Sequence, residues 1–209
     1  MLGRVMAAPT EQAWDAACYM LTYMYTHRHH GIRFTSSGNS EPVAYVDSSN
    51  KPDPTDSKCQ YGYTHLWQGG CIIASSKKLA HVGLSAAHNE YMAAHWCNRH
   101  TAWLRDLLHE MGIDDAIQTP TTTYGDNRAA NLLCEEDIIT CGNQFMQVPY
   151  HYNKEATQLG VIKMEYVPTK FNLADLLTKS ISRQVLEQLL PVLLGHRPPD
   201  WPAPQESAQ

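Results

Sequence analysis

The sequence predicts an α/β chain whose core is one mixed five-stranded sheet with helices on its faces. Three observations predict it. Strand-like runs at 43–47, 61–67 and 71–75 follow one another with a proline-containing loop and then a tight turn between them, which makes an antiparallel meander. The next strand-like runs, 121–124 and 161–167, each come after a helical segment, and such crossovers return a strand parallel to its neighbour. The 209 residues are 43% hydrophobic and 18% charged, enough apolar surface for an ordinary core.

The chain opens with a helical segment, EQAWDAACYMLTYMYTH. Trp14, Ala17, Cys18, Leu21 and Tyr25 recur at helical spacing, Thr10 is placed to cap the start, and Glu11 and Asp15 sit where the helix dipole favours acids. The helix is expected to fail by His30-Gly31. TSSGNSEP reads as a linker, so the expected organisation is a helical segment at 1–34, a linker at 35–42, the main domain at 43–196 and a proline-rich disordered tail at 197–209. Gly69-Gly70 signals the hairpin between the second and third strands. SSKKLAHVGLS leads into the longest helix, from Ser85 to the stop at Gly112, with Met92, Trp96, Trp103, Leu107 and Met111 as its apolar stripe. After the fourth strand, Gly125-Asp126-Asn127 turns the chain into the helix RAANLLCEE. An amphipathic segment at 145–158 precedes the fifth strand. NLADLLTKSISRQVLEQLLPVLL then reads as one last helix, kinked or broken at Pro191.

Composition excludes several classes. A net charge of -5 and a pI near 6.1 argue against a protein that coats DNA through global basicity. The six cysteines form no CxxC pair, which argues against a zinc knuckle, and His27, His29 and His30 lack spaced ligand partners. With no secretory-type leader, the cysteines are expected to be reduced in an intracellular compartment. No apolar run reaches bilayer length, and nothing repeats at a solenoid period.

Four acids fall at structurally equivalent places. Asp47 closes the first strand, Glu90 lies early in the long helix, Asp126 directly follows the fourth strand, and Asp175 lies in the first turns of the last helix. Singly, each has a plainer reading: a turn former, a solvated helix face, or a residue favoured by the helix dipole. Jointly, strand ends and helix starts converge on one edge of such a sheet, and four carboxylates gathered there need cations between them. Hard oxygen donors suit Mg²⁺ or Mn²⁺. Two such ions roughly 3.5–4 Å apart form the clamp used for in-line displacement at a phosphodiester.

These blocks resemble a known family. AYVDSS, SSKKLAHVGLSAAHNEYMAA, TAWLRDLLHEMG, YGDNRAA and EYVPTKFNLADLLTK are similar, in order, to the ribonuclease H region of copia-type retrotransposon Pol polyproteins. The opening PTEQAWDAACYMLTYMYTHRHHGIRF resembles the tail of the reverse transcriptase that precedes it, so 1–34 would be a remnant of that connection. The resemblance implies a ribonuclease H-like fold and a Mg²⁺-dependent site made of Asp47, Glu90, Asp126 and Asp175, with Mn²⁺ as an alternative metal. The implied reaction is hydrolysis of the RNA strand of RNA–DNA hybrids during reverse transcription, giving a 3′-hydroxyl and a 5′-phosphate. Implied partners are the hybrid and the polymerase region of the parent polyprotein, in a cytoplasmic retroelement particle or the nucleus, with no membrane. Lys77, Lys78 and Arg128 are the expected phosphate contacts. Asn127 and Asn172 stand beside site positions, placed to orient ligands or touch the 2′-hydroxyl. The chain also departs from the pattern. Ser49 stands where the family often has a second acid, and His88 replaces the first Glu of EAEY. GNQFMQVPYHY has lost the positive charges of the family's RTKHIDIRYHF stretch, which weakens the grip on phosphate. Survival of all four acids favours the enzyme, and the lost basic block favours the alternative, a decayed or domesticated non-catalytic module of the same fold that binds nucleic acid or serves as a scaffold.

Overall fold

A computed structural model of the chain describes residues 6–36, 41–135, 147–196 and 201. The chain divides into two compact units, Met1–Ile32 and Arg33–Gln209. In the first, helix α1 (Glu11–Thr26) begins where Thr10 Oγ1 accepts the N–H of Ala13 at 3.2 Å, and ends at the cap residue His27. The expected apolar stripe has no buried member: Trp14, Leu21 and Tyr25 are all exposed.

The second unit is built on a five-stranded sheet in the order β3-β2-β1-β4-β5. The strands are β1 (Val43–Ser48), β2 (Gln60–Trp67), β3 (Gly70–Lys78), β4 (Thr121–Gly125) and β5 (Ile162–Tyr166). β1, β2 and β3 form the antiparallel meander, while β4 runs parallel to β1 and β5 parallel to β4. The hairpin turn sits one residue earlier than its glycine pair suggests. Gln68 (φ 51°) and Gly69 (φ 82°) are the two left-handed residues, and Gly70 already pairs with Trp67. β3 also runs three residues past the expected end, so Lys77 and Lys78 lie on a strand and not in the turn before the long helix.

One face of the sheet is covered by α2 (Ala86–Glu110), α3 (Arg128–Glu135) and α4 (Gln147–Gln158). Ser85 caps α2 by accepting the N–H of His88 at 3.1 Å. The buried face of α2 is Tyr91, Ala94, Cys97, Thr101, Leu104 and Leu108, displaced from the aromatic stripe expected there. Trp103 and Met111 are exposed, and Trp96 is only half-buried. Ala94, Cys97 and Thr101 let the middle of the helix approach the sheet closely, and the two tryptophans are left to the flank. Tyr91, Ala94 and Cys97 meet Ala44 and Val46 of β1, Tyr63 of β2, and Ile162 and Met164 of β5 in one apolar cluster.

The other face carries α5 (Asp175–Thr178) and α6 (Arg183–Leu193), which pack Leu173, Ala174, Leu189 and Val192 against Tyr45 and Tyr124. The single last helix expected from the sequence is therefore two. The chain leaves α5 at Lys179, whose backbone is extended (φ −125°, ψ 152°), and Ser182 caps α6 by accepting the N–H of Val185 at 3.3 Å. Pro191 lies inside α6 without ending it. The carbonyl that its missing N–H leaves free belongs to exposed Glu187, where water can serve. Trp201 is buried and meets Phe171 edge-on, with ring centroids 5.2 Å apart. The rest of the expected tail lies outside the described residues, as do the middle of the linker, the start of the amphipathic segment at 145–146 and most of the altered basic block. Among the described residues, no helix is long and apolar enough to cross a membrane.

Candidate metal centre

The sheet order itself brings the first two acids together. β1 and β4 are parallel neighbours with Val46 opposite Gly125, so the next residues, Asp47 and Asp126, emerge side by side at the same strand ends. Glu90 enters from the first turns of α2, where its Oε2 accepts the backbone N–H of Ser48 at 3.0 Å. Ligand oxygens of Asp47, Glu90 and Asp126 all lie within 4.8 Å of one another. Asp175, the first residue of α5, joins the cluster through a cation. Lys179 Nζ donates to Asp175 Oδ1 at 2.7 Å and to Asp47 Oδ1 at 3.1 Å. Thr178 Oγ1 donates to the other oxygen of Asp47, and Thr169 Oγ1 donates to Asp126 Oδ2 at 2.8 Å.

The electrostatics are those of a site short of positive charge. Asp47 is 1% exposed and Glu90 7%. Burial, reinforced by Asp47 and Asp126, pushes Glu90 up to about 9. Burial also raises Asp47 to about 6, although Lys179 and Thr178 pull it down. Asp175 is raised by burial against the pull of Lys179. Burial acts to lower Lys179, but hydrogen bonds and attraction from Asp175 and Asp47 raise it above its ordinary value. Burial and the neighbouring carboxylates thus favour the protonated form of Glu90 when no cation is bound. A cluster of hard, buried oxygen donors that repel one another is the donor set that Mg²⁺ or Mn²⁺ fits.

The expected nucleic-acid contacts are arranged differently. Lys77 is exposed on β3. Lys78 is tied to the β1–β2 loop, with Nζ 2.7 Å from both Asp53 Oδ2 and Asp56 Oδ2, so it is not free to hold a phosphate without giving these up. Arg128 is exposed and lays its guanidinium 4.2 Å from the centre of the Tyr166 ring. Asn127 Oδ1 accepts the N–H of Ala130 at 3.1 Å, which makes it the helix cap of α3. Asn172 is fully buried. Its Nδ2 donates to Val46 O at 3.0 Å and its Oδ1 accepts the N–H of Ala174 at 3.1 Å. It braces the turn before α5 against β1 and cannot meet a 2′-hydroxyl. Three residues that the sequence reading did not single out touch the acids: Thr169, Thr178 and Lys179. Thr178 and Lys179 follow Asp175 by three and four positions, the spacing that puts residues on one helix face, and that was the available signal. Asn131 also escaped notice. Its Nδ2 donates to Gly125 O and Glu165 O at 3.0 and 3.1 Å, clamping the end of β4 just before Asp126.

A sheet of this order and sense, with acids at the ends of its two central strands, defines the ribonuclease H-like class. Over most of its length the chain is similar to retrovirus-related Pol polyproteins of transposons. It is 31% identical over 183 residues to the Pol polyprotein of transposon RE2 from Arabidopsis thaliana, which covers 87% of this chain and 12% of that protein. It is 30% identical over 187 residues to that of transposon RE1 from the same plant, covering 89% of this chain and 13% of that protein. The chain thus spans about an eighth of the polyproteins it matches. It is also 30% identical over 104 residues to secreted RxLR effector protein 161 of Plasmopara viticola, covering 50% of this chain and 73% of that protein. Among solved structures, it resembles the N-terminal RNase H domain of a Mycobacterium tuberculosis protein at a TM-score of 0.47 and 14% identity, covering 66% of this chain and 91% of that one. No protein-family model matches the chain.

Proposed function

We propose that the second unit is a divalent-metal-dependent ribonuclease that cuts the RNA strand of RNA–DNA hybrids, acting beside the polymerase region of a retroelement polyprotein. The observation that carries the reading is the convergence of Asp47, Glu90 and Asp126, with ligand oxygens within 4.8 Å of one another, at the ends of the two central strands. Asp47, Glu90, Asp126 and Asp175 would hold Mg²⁺ or Mn²⁺, which supplies activation of water and charge stabilisation at the phosphate. The protein's own groups do the placing. Thr178 fixes one oxygen of Asp47, the Ser48 amide fixes one of Glu90, and Thr169 fixes one of Asp126. A cation held there would offset the neighbouring charges and favour the carboxylate form of Glu90. Arg128 and Lys77 remain the exposed cations suited to backbone phosphates. The test is cleavage of a labelled RNA–DNA hybrid by the full chain in Mg²⁺. Cleavage that EDTA abolishes supports the reading, and a chain that binds metal without cleaving the hybrid removes the enzymatic half of it.

The engagement of Lys78 with Asp53 and Asp56 removes an expected phosphate contact and favours a second reading, a non-catalytic scaffolding module of the same fold. The same assay decides between the two.

A further inference from the structure

The two halves of the acid cluster are neutralised differently. Glu90 and Asp126 meet only neutral donors among the described residues, the Ser48 amide and the Thr169 hydroxyl. Asp175 and the facing oxygen of Asp47 share the Lys179 ammonium, at 2.7 and 3.1 Å. Lys179 is well placed for a removable counter-ion. It is the first residue past α5, its backbone N–H closes the helix on Asp175 O at 3.2 Å, and its side chain is 35% exposed while Asp47 is 1% exposed. The stem can swing to solvent without disturbing the core, and an ammonium is a point charge that gives up its partners to a stronger cation without geometric demands.

We propose that Lys179 occupies the Asp47–Asp175 half of the centre as a built-in cation, so that the two metal positions are unequal. This rests on the reading of the four acids as metal ligands. An ion held by Asp47, Glu90 and Asp126 would share only Asp47 with the ammonium, since Glu90 and Asp126 are not bonded to it. An ion held by Asp47 and Asp175 must displace the ammonium, and binds more weakly by the free energy of that displacement. Lys179 thereby keeps the buried acids of the α5 half compatible with folding before metal arrives, and sets the metal concentration at which the centre fills. It is a positioning residue: it acts on the ligands and not on the substrate.

The experiment is calorimetric titration of the full chain with MnCl₂, alongside thermal melts in EDTA and in Mn²⁺, for wild type, Lys179→Met, Lys179→Arg and Asp126→Asn. Wild type is expected to bind two ions, the second at least tenfold more weakly. Lys179→Met is expected to tighten the second ion at least tenfold and the first by less. It is also expected to melt several degrees below wild type in EDTA and to recover in Mn²⁺. Lys179→Arg keeps the charge and is expected to titrate like wild type. Asp126→Asn is expected to weaken the first ion. If wild type binds no Mn²⁺, the metal centre is wrong and this inference goes with it. If wild type binds but Lys179→Met titrates identically, the centre stands and the role of Lys179 is overturned. A Lys179→Met chain that folds in neither EDTA nor Mn²⁺ would make Lys179 a structural residue and overturn it equally.

Discussion

Glu90 and Asp175 approach the same strand-end carboxylate, Asp47, from helices of very different length. Glu90 stands on α2, which has 25 residues, and is seated by Tyr91, Ala94 and Cys97 against the sheet. Asp175 stands on α5, which has four residues and cannot hold its own axis by backbone hydrogen bonding alone. Its position comes from tertiary ties: Leu173 and Ala174 in the second apolar cluster, Asn172 bonded to Val46 O, and Thr178 and Lys179 bonded to Asp47. A long helix carries an acid into the site as part of a rigid body, and the acid can be left protonated there. A single turn needs side-chain tethers, and here one tether is itself a cation.

Four changes test this contrast. The largest effect is expected at Asp126, which belongs to the Glu90 half of the centre. Asp126→Asn keeps an acceptor for Thr169 but removes a ligand charge, and hybrid cleavage is expected to fall on the order of a hundredfold or more. The same chain is expected to melt a few degrees higher in EDTA, because Asp126 adds to the repulsion felt by Asp47 and Glu90. One cleavage assay and one melt on the same preparation check both.

Next come the two cores. Leu108→Ala at the far end of α2 and Leu189→Ala in α6 each remove a fully packed side chain, and each is expected to cost about 2–5 kcal/mol in denaturant unfolding. Only Leu189→Ala is expected to raise the Mg²⁺ needed for cleavage, since it loosens the support of α5. An equal rise in both would erase the distinction between a rigid and a tethered half.

Gly62 sharpens the contrast further. It pairs with Asp47 in the β1–β2 ladder, and an added Cβ would lie 2.6 Å from Leu177 Cβ and 3.2 Å from Ser75 O. Gly62→Ala is expected to push α5 off the sheet at about 1–3 kcal/mol, with a weakened Lys179–Asp47 contact. Wild-type stability for this variant would mean that α5 is seated more loosely than its packing indicates.

The smallest effect is a pH dependence. Glu90 is raised to about 9 in the folded chain from an ordinary value near 4.5. The folded state therefore holds a proton that the unfolded chain has released, and stability is expected to fall as pH rises from about 5 towards 9. In EDTA the melting temperature is expected to decline across that window, with roughly 1 kcal/mol moving a chain of this size by 2–4 °C. Saturating Mg²⁺ is expected to flatten the slope, and a melt series that declines equally with and without Mg²⁺ would count against Glu90 as a ligand.

The sequence by itself determined the order of strands and helices, the cap at Thr10, the start of the long helix near Ser85, and the four acids at strand ends and helix starts. These follow from local periodicity, from turn chemistry and from blocks similar to a known family. Only the tertiary structure decided which face of α2 is buried. Trp96 and Trp103 dominate the pattern by size, whereas close approach to the sheet selects Ala94, Cys97 and Thr101. It likewise decided that the last helix breaks at Lys179, that Asn172 is a buried brace, and that Lys78 is held by Asp53 and Asp56. Helix propensity favours continuing through Lys179. The break becomes favourable when Thr178 and Lys179 can reach a buried carboxylate far away in sequence on β1, and no local rule contains that charge.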